Sequence, residues 1–184
     1  MFRKALIIVL MSISGCSTIS YTEPTEGPLA KVRFSTDFKN VVVIWGYQDS
    51  NCTGESEWMR LRNGSLMNSS PKSLGIPLSE GLHENSYKEF LMSSNIEHVF
   101  MFKSIHVNGA TEYSCAVPVK MKFNKDEMYE VSYQHTDLAC SAEVSRIHKT
   151  SEGNITRDAI TVFSNYAYGF GEQCKEAFKK WRLY

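Results

Sequence analysis

The chain has no excess of charge of either sign: twenty Lys and Arg stand against twenty Asp and Glu over 184 residues. A surface without a dominant basic field argues against a nucleic-acid partner, whose phosphates call for clustered cations. The common catalytic signatures are missing as well. There is no G-x-S-x-G elbow and no H-E-x-x-H pair, and the glycines are scattered instead of forming a phosphate-cradling loop. The cysteines lack the short paired spacing of a zinc site and have no suitably spaced histidines beside them, so no metal and no other cofactor is expected. No internal repeat is visible, and no apolar run beyond the N-terminal one approaches the length of a membrane span.

What is there begins at the N-terminus. Arg3 and Lys4 precede an apolar run from Ala5 to Met11, and the small residue Gly15 stands before Cys16, which is the layout of an export signal. The run is too short to cross a bilayer. The tetrad Ile13, Ser14, Gly15, Cys16 resembles the lipobox of bacterial lipoproteins. That resemblance implies cleavage between Gly15 and Cys16, a diacylglyceryl group on the Cys16 sulfur and acylation of its amino group. Each buried methylene contributes roughly 0.8 kcal/mol, so two or three chains make an essentially permanent anchor. Ser17 follows, where an Asp typically retains such proteins in the inner membrane, so the resemblance implies the outer membrane, facing the periplasm. The expected organisation is a signal peptide over 1–15, a lipidated cysteine and flexible tether over 16–29, and one domain over 30–184. The tether STISYTEPTEG is rich in Ser, Thr, Pro and Gly and has no apolar periodicity. Removing fifteen residues from 184 leaves 169, enough for one well-filled core.

Four cysteines remain: Cys52, Cys115, Cys140 and Cys174. An even number in an exported chain reads as disulfides, and four thiols allow three pairings among which sequence alone does not choose. Cys115 with Cys140 and Cys52 with Cys174 is the preferred pairing, since the first closes a compact region and the second then ties the ends of the domain.

Strand patterns follow one another along the chain. Ala30 to Phe34 alternates, and Val41 to Tyr47 is apolar on both faces, as a central strand is, with Gly46 marking a bulge or a close backbone approach. Glu57 to Leu61 is a short strand closed by Asn63-Gly64, a hairpin signal. Met67 to Glu80 reads as loop with one brief strand at Leu74 to Leu78. Gly81 to Asn95 is ambiguous, because Tyr87, Phe90 and Leu91 also have helical spacing. Glu97 to Val107, Glu112 to Phe123, Met128 to Gln134 and Cys140 to Ile147 read as strands, the second of them a clean amphipathic alternation. Lys149 to Arg157 reads as loop and Ala159 to Tyr168 as a last strand. At the C-terminus Cys174, Ala177, Phe178 and Trp181 share one helical face, opposite Lys175, Lys179, Lys180 and Arg182. That helix suits a membrane surface, but a cap docked by its aromatic face and stapled by Cys174 is preferred. The fold expected is all-β: an antiparallel β-sandwich, immunoglobulin-like in one version, with a short C-terminal helix and a small β-barrel as the alternative.

Gly27, Pro28, Ala30, Val32, Arg33 and Phe34, then Cys52, then Cys115, Phe123, Tyr129, Glu130, Val131 and Cys140, form a pattern that resembles a family of bacterial envelope lipoproteins of undefined function. The resemblance implies the same export route and β fold, does not cover the C-terminal helix, and supplies no catalytic residues.

Candidate chemistry is sparse. His98 and His106 share strand parity but stand about 26 Å apart along one strand, and His83, His135 and His148 read as solvated. Glu55, Glu57 and Glu80 have nothing in the sequence that brings them together. Trp45, Tyr47 and Trp58 cluster around Cys52 and are read as core in preference to an exposed patch. The N-x-[ST] triplets at Asn51, Asn63, Asn68 and Asn154 read as chance matches in a lipoprotein. The function expected is noncatalytic: a lipid-anchored binding or accessory module for an envelope protein or glycan, touching the membrane through its lipid. The alternatives are a cell-wall-acting enzyme and a structural stress-response lipoprotein without a dedicated ligand.

Overall fold

The computed structural model describes residues 21–62, 72–82, 86–136, 139–162 and 169–181. The expected signal peptide and lipidation site Cys16, the expected Asn63-Gly64 turn, Asn68, His83, residues 163–168 of the expected last strand, and Arg182 lie outside the described residues.

Alternation decides which way each strand faces. In β1 (Leu29–Thr36) the residues Ala30, Val32 and Phe34 point inward, leaving Lys31, Arg33 and Ser35 on the other face. The remaining strands are β2 (Val42–Gly46), β3 (Ser56–Leu61), β4 (Tyr87–Ser93), β5 (Glu97–Asn108), β6 (Thr111–Lys122), β7 (Met128–His135), β8 (Cys140–Lys149) and β9 (Ile155–Ile160). They form a five-stranded sheet ordered β4-β1-β7-β8-β9 and a four-stranded sheet ordered β3-β2-β5-β6. The neighbours run antiparallel except β1 and β7, which are parallel. The sheets stay separate, with β4, β9, β3 and β6 as edges, so the fold is a β-sandwich and not a closed barrel. The first strand lies inside its sheet, where the immunoglobulin order puts it at an edge.

Phe34, Phe100, Phe102, Val119, Phe123, Tyr129, Val131 and Tyr133 fill the space between the sheets, all essentially without exposure. β2 is central, as its two apolar faces require, and a register shift between Ile44 and Trp45 marks a bulge against β3. That bulge turns Trp58 into the core over Gly46, where an added Cβ would come 1.6 Å from Cε2 of the indole. Gly46 therefore has no room for a side chain.

Three segments differ from expectation. The described residues of 81–95 hold no α-helix: Tyr87–Ser93 is β4, because Phe90 and Met92 alternate into the core while Glu89 pairs outward with Arg33. Pairing with β1 overrides the helical spacing. Leu74 to Leu78 is an extended strap without ladder partners instead of a brief strand. The last strand starts earlier than its apolar pattern suggests, since β9 spans Ile155–Ile160 with the polar sequence ITRDAI on an exposed edge.

The disulfides join Cys52 to Cys174 and Cys115 to Cys140. The second crosses from β6 of one sheet to β8 of the other. The first holds helix α1 (Glu172–Lys179) against the outer face of the four-stranded sheet. Eight residues are too few for a helix to persist alone. Cys174 and Phe178 are buried against Tyr47, Val99 and Met101, so the helix is a docked cap. Its cations are matched locally: Lys175 by Glu172, Lys179 by Glu176 and Lys180 by Glu55.

Candidate functional site

The outer face of the five-stranded sheet carries a buried ionic latch. Register places Arg33 of β1 directly between Glu89 of β4 and Glu130 of β7. Its guanidinium spends all five N–H donors. Nε (3.1 Å) and Nη2 (2.7 Å) donate to Glu89 Oε1, Nη1 donates to Glu130 Oε2 (3.1 Å) and the Pro77 carbonyl (2.8 Å), and Nη2 also donates to the Ile76 carbonyl. Arg33 and Glu89 have no exposed side-chain surface, and Tyr87 packs its ring under the guanidinium at 4.7 Å. Two donors on one edge of the planar guanidinium meet a single carboxylate oxygen while the other three reach separate acceptors, a set that makes this an arginine site that lysine cannot fill.

The strap over residues 72–82 is thereby tied down by polar groups. The Leu74 amide donates to Glu89 Oε2 (2.5 Å), Lys31 Nζ to the Leu74 carbonyl (2.8 Å), and Ser79 Oγ to Glu130 Oε2 (2.8 Å). From the far edge, Arg157 of β9 reaches Ser79 Oγ (3.0 Å) and the Pro77 carbonyl (3.2 Å). Beside the strap opens a polar cleft of about 200 Å³, lined by Thr36, Asp37, Ser86, Glu130, Ser132 and Gln134 among others. Hydroxyls, carboxylates and the Gln134 amide converge there, with Leu82 as the one large apolar side chain among the described lining residues. Such a lining can hydrogen-bond a polyol or a polar peptide, and its one described hydroxyl–carboxylate pair, Ser79 with Glu130 (2.8 Å), is engaged by Arg157 and Arg33 in holding the strap.

The outer face of the other sheet divides in two. α1 covers the half around Val99 and Met101, and among the described residues no element packs over the half bearing Val43, Ile105 and Val107. Ile105 is 47% exposed and Val107 61%. A shallow groove of about 440 Å³ runs here, and among its described lining residues Arg62 and Lys103 are the charged ones. Lys103 Nζ lies 4.0 Å from the Trp181 ring, which packs on Trp45 at 5.4 Å between ring centroids.

The residues singled out in the sequence do not assemble into a catalytic centre. Glu55 meets Lys180 and Glu57 meets Arg60 (2.7 Å), while Glu80 lies on the opposite sheet beside the cleft. His98 donates its ring N–H to the Ser93 carbonyl (2.7 Å), and burial lowers its pKa. His106 bonds the Asn40 side chain (3.0 Å), and His135 stacks on Phe38 at 4.2 Å between centroids and 5.9 Å from His106. His135 is therefore packed, contrary to a solvated reading, because β7 carries it inward past Tyr133. His148 is exposed and bonds Thr156. Among the described residues no three His, Cys, Asp or Glu side chains group closely enough to hold a metal ion. Trp58 and Tyr47 are core, whereas Trp45 is half-buried and packs on Trp181. The latch itself escaped the sequence reading, although Arg33 and Glu130 stand in the two short motifs that carry the family resemblance. A charged residue flanked by core residues in a strand was the available signal.

No family model matches the chain, and no curated protein and no solved structure matches it. Function is accordingly argued from the residues.

Proposed function

We propose that this chain is a noncatalytic lipoprotein of the bacterial cell envelope, anchored through Cys16 in the outer membrane, that binds another envelope component in the strap cleft. The reading is supported by the export signal and lipobox, and by a domain closed by two disulfides, which suits an oxidising compartment. The observation that carries the binding role is the cleft: a convergent surface rich in hydroxyls and carboxylates beside a strap held by a buried ion cluster, in which the Ser79–Glu130 pair is bound up with Arg33 and Arg157. The partner class it fits is a glycan or a polar protein segment. The lipid raises the local concentration of the cleft beside such a partner.

Crosslinking in living cells, followed by purification of the lipidated protein and mass spectrometry, tests this. One reproducible envelope partner is expected, and Ser132→Arg, which fills the cleft, should remove it. Recovery of nothing above control, or of the same partner with Ser132→Arg, would overturn the reading. The anchor is tested apart: Cys16→Ser should abolish lipid labelling and signal processing.

A further inference from the structure

Tyr21 lies within the stretch expected to be free tether, yet it is built into the domain. Its amide donates to the Trp58 carbonyl on the open edge of β3 (3.1 Å), and its hydroxyl donates to the Leu91 carbonyl of β4 (3.3 Å). Its ring packs on Trp58 and Phe90 at 5.0 and 5.5 Å, and burial, with Glu23 nearby, pushes its pKa up to about 12. The chain is thus pinned where the edges of the two sheets meet. From Tyr21 back to Cys16 is five residues, which span at most about 17 Å when fully extended. An anchor at Cys16 holds the β3 edge close to the bilayer.

The bare groove lies next to that edge. Its β2 residues are one strand in from β3 and its β5 residues two, about 5 Å per strand. Val43 pairs with Arg60, two residues along β3 from Trp58. Among its described lining residues the groove combines apolar side chains with two cations and no acid, Glu55 and Glu112 standing nearby, and Lys103 of the lining touches the Trp181 ring, which packs on Trp45. Apolar residues, cations and flanking aromatic rings are the composition that rests at a headgroup boundary.

We infer that the bare half of the four-stranded sheet is a bilayer seat, in which Val43, Ile105 and Val107 press into the headgroup boundary and Arg62 and Lys103 face anionic headgroups. The inference rests on the lipid anchor proposed above. It turns the anchor from a leash into a hinge and gives the domain a fixed orientation on its membrane.

The test uses the full lipidated protein in vesicles of phosphatidylethanolamine and phosphatidylglycerol, with and without brominated acyl chains, which quench tryptophan at short range. Trp45 and Trp181 should lose most of their fluorescence while Trp58, inside the core, keeps its own. Replacing phosphatidylglycerol by a zwitterionic lipid should reduce the loss. Ile105→Glu with Val107→Glu, both at exposed positions, should abolish quenching while the protein still floats with the vesicles. Anchored wild-type protein that shows no quenching overturns the seat, and if the double variant then loses a crosslinked protein, the groove is a protein-docking face. Failure of the anchor itself is read separately, as a Cys16 peptide without acyl mass. In that case unlipidated protein that floats with phosphatidylglycerol vesicles and is quenched still supports the seat, and protein that does neither overturns it.

Discussion

Arg33→Met removes a charge and keeps a side chain of similar reach. The guanidinium donates five hydrogen bonds, and the loss leaves Glu89 with no exposed side-chain surface and, among the described residues, the Leu74 amide as its remaining partner. Removing one partner of a buried ion pair costs about 3 to 5 kcal/mol, mainly because the other charge stays uncompensated. Against a total stability of roughly 5 to 15 kcal/mol, that is a large share. The attraction between the charges is a smaller part of the cost than the stranded carboxylate, and this has a signed consequence. Arg33→Met combined with Glu89→Leu removes both buried charges and should be more stable than Arg33→Met alone, by about 2 kcal/mol or more. It should not regain the wild-type value, because the Ile76 and Pro77 carbonyls and the Leu74 amide have lost partners. Urea unfolding followed by tryptophan fluorescence measures each term, with a constant m-value as the check that only stability has moved. Proteolysis within residues 72–82 should accelerate in both variants before global unfolding. An Arg33→Met chain within about 1 kcal/mol of wild type, or a double variant less stable than the single, would refute the latch.

The two disulfides should differ in worth: sequence separations of 122 and 25 correspond, in the chain-entropy model, to about 5 and about 3.5 kcal/mol, so Cys52→Ala with Cys174→Ala should lower the urea midpoint more than Cys115→Ala with Cys140→Ala. Gly46→Ala should cost about 3 kcal/mol by forcing Trp58 out of its site, and Trp58→Leu in the same chain should cost less than the sum of the two single changes. Burial depresses the His98 pKa in the folded state, so the unfolded chain binds the extra proton first as pH falls. Stability contributed by neutral His98 is complete above about pH 6.5, the ordinary histidine value, and is lost as pH falls from there through the folded pKa. His98→Gln should flatten the stability profile in that window, measured by urea melts at stepped pH.

The strands that were legible in sequence are those with one wet face or with β-branched runs, β6 and β2 above all. Their alternation is a local property that the fold only had to accept. β4 and β9 were misread for opposite reasons. In β4 both faces are covered, one by the core and one by the strap, so Glu89 and Lys88 are buried and the polar alternation that marks a strand is inverted. In β9 almost nothing is covered, so ITRDAI carries no apolar stripe. The latch is harder still to read, since it arises from three strands brought together by one parallel pairing and an antiparallel one. Tyr21 was hidden by its neighbours: one aromatic among Ser, Thr, Glu and Pro carries no periodicity, and its partners on β3 and β4 are distant in sequence.

The two surfaces lie on opposite outer faces of the sandwich, and that opposition bears on function. Arg33 and the cleft project from the five-stranded sheet, whereas Ile105 and Val107 project from the four-stranded one. Two packed sheets stand about 10 Å apart, so the surfaces are separated by little more than the thickness of one core. A domain seated by the groove would present the cleft directly away from the membrane, the side from which the proposed glycan or protein segment would have to approach. A domain on a long free tether would present it in every direction. The pinning of Tyr21 therefore links anchor to cleft, and freeing it gives a distinct outcome. Tyr21→Gly should leave lipidation and the cleft intact, yet lower the yield of the crosslinked partner and weaken bromolipid quenching together. A variant that weakens quenching but keeps full crosslinking would show that the cleft works without the orientation, and the link between the two faces would fall.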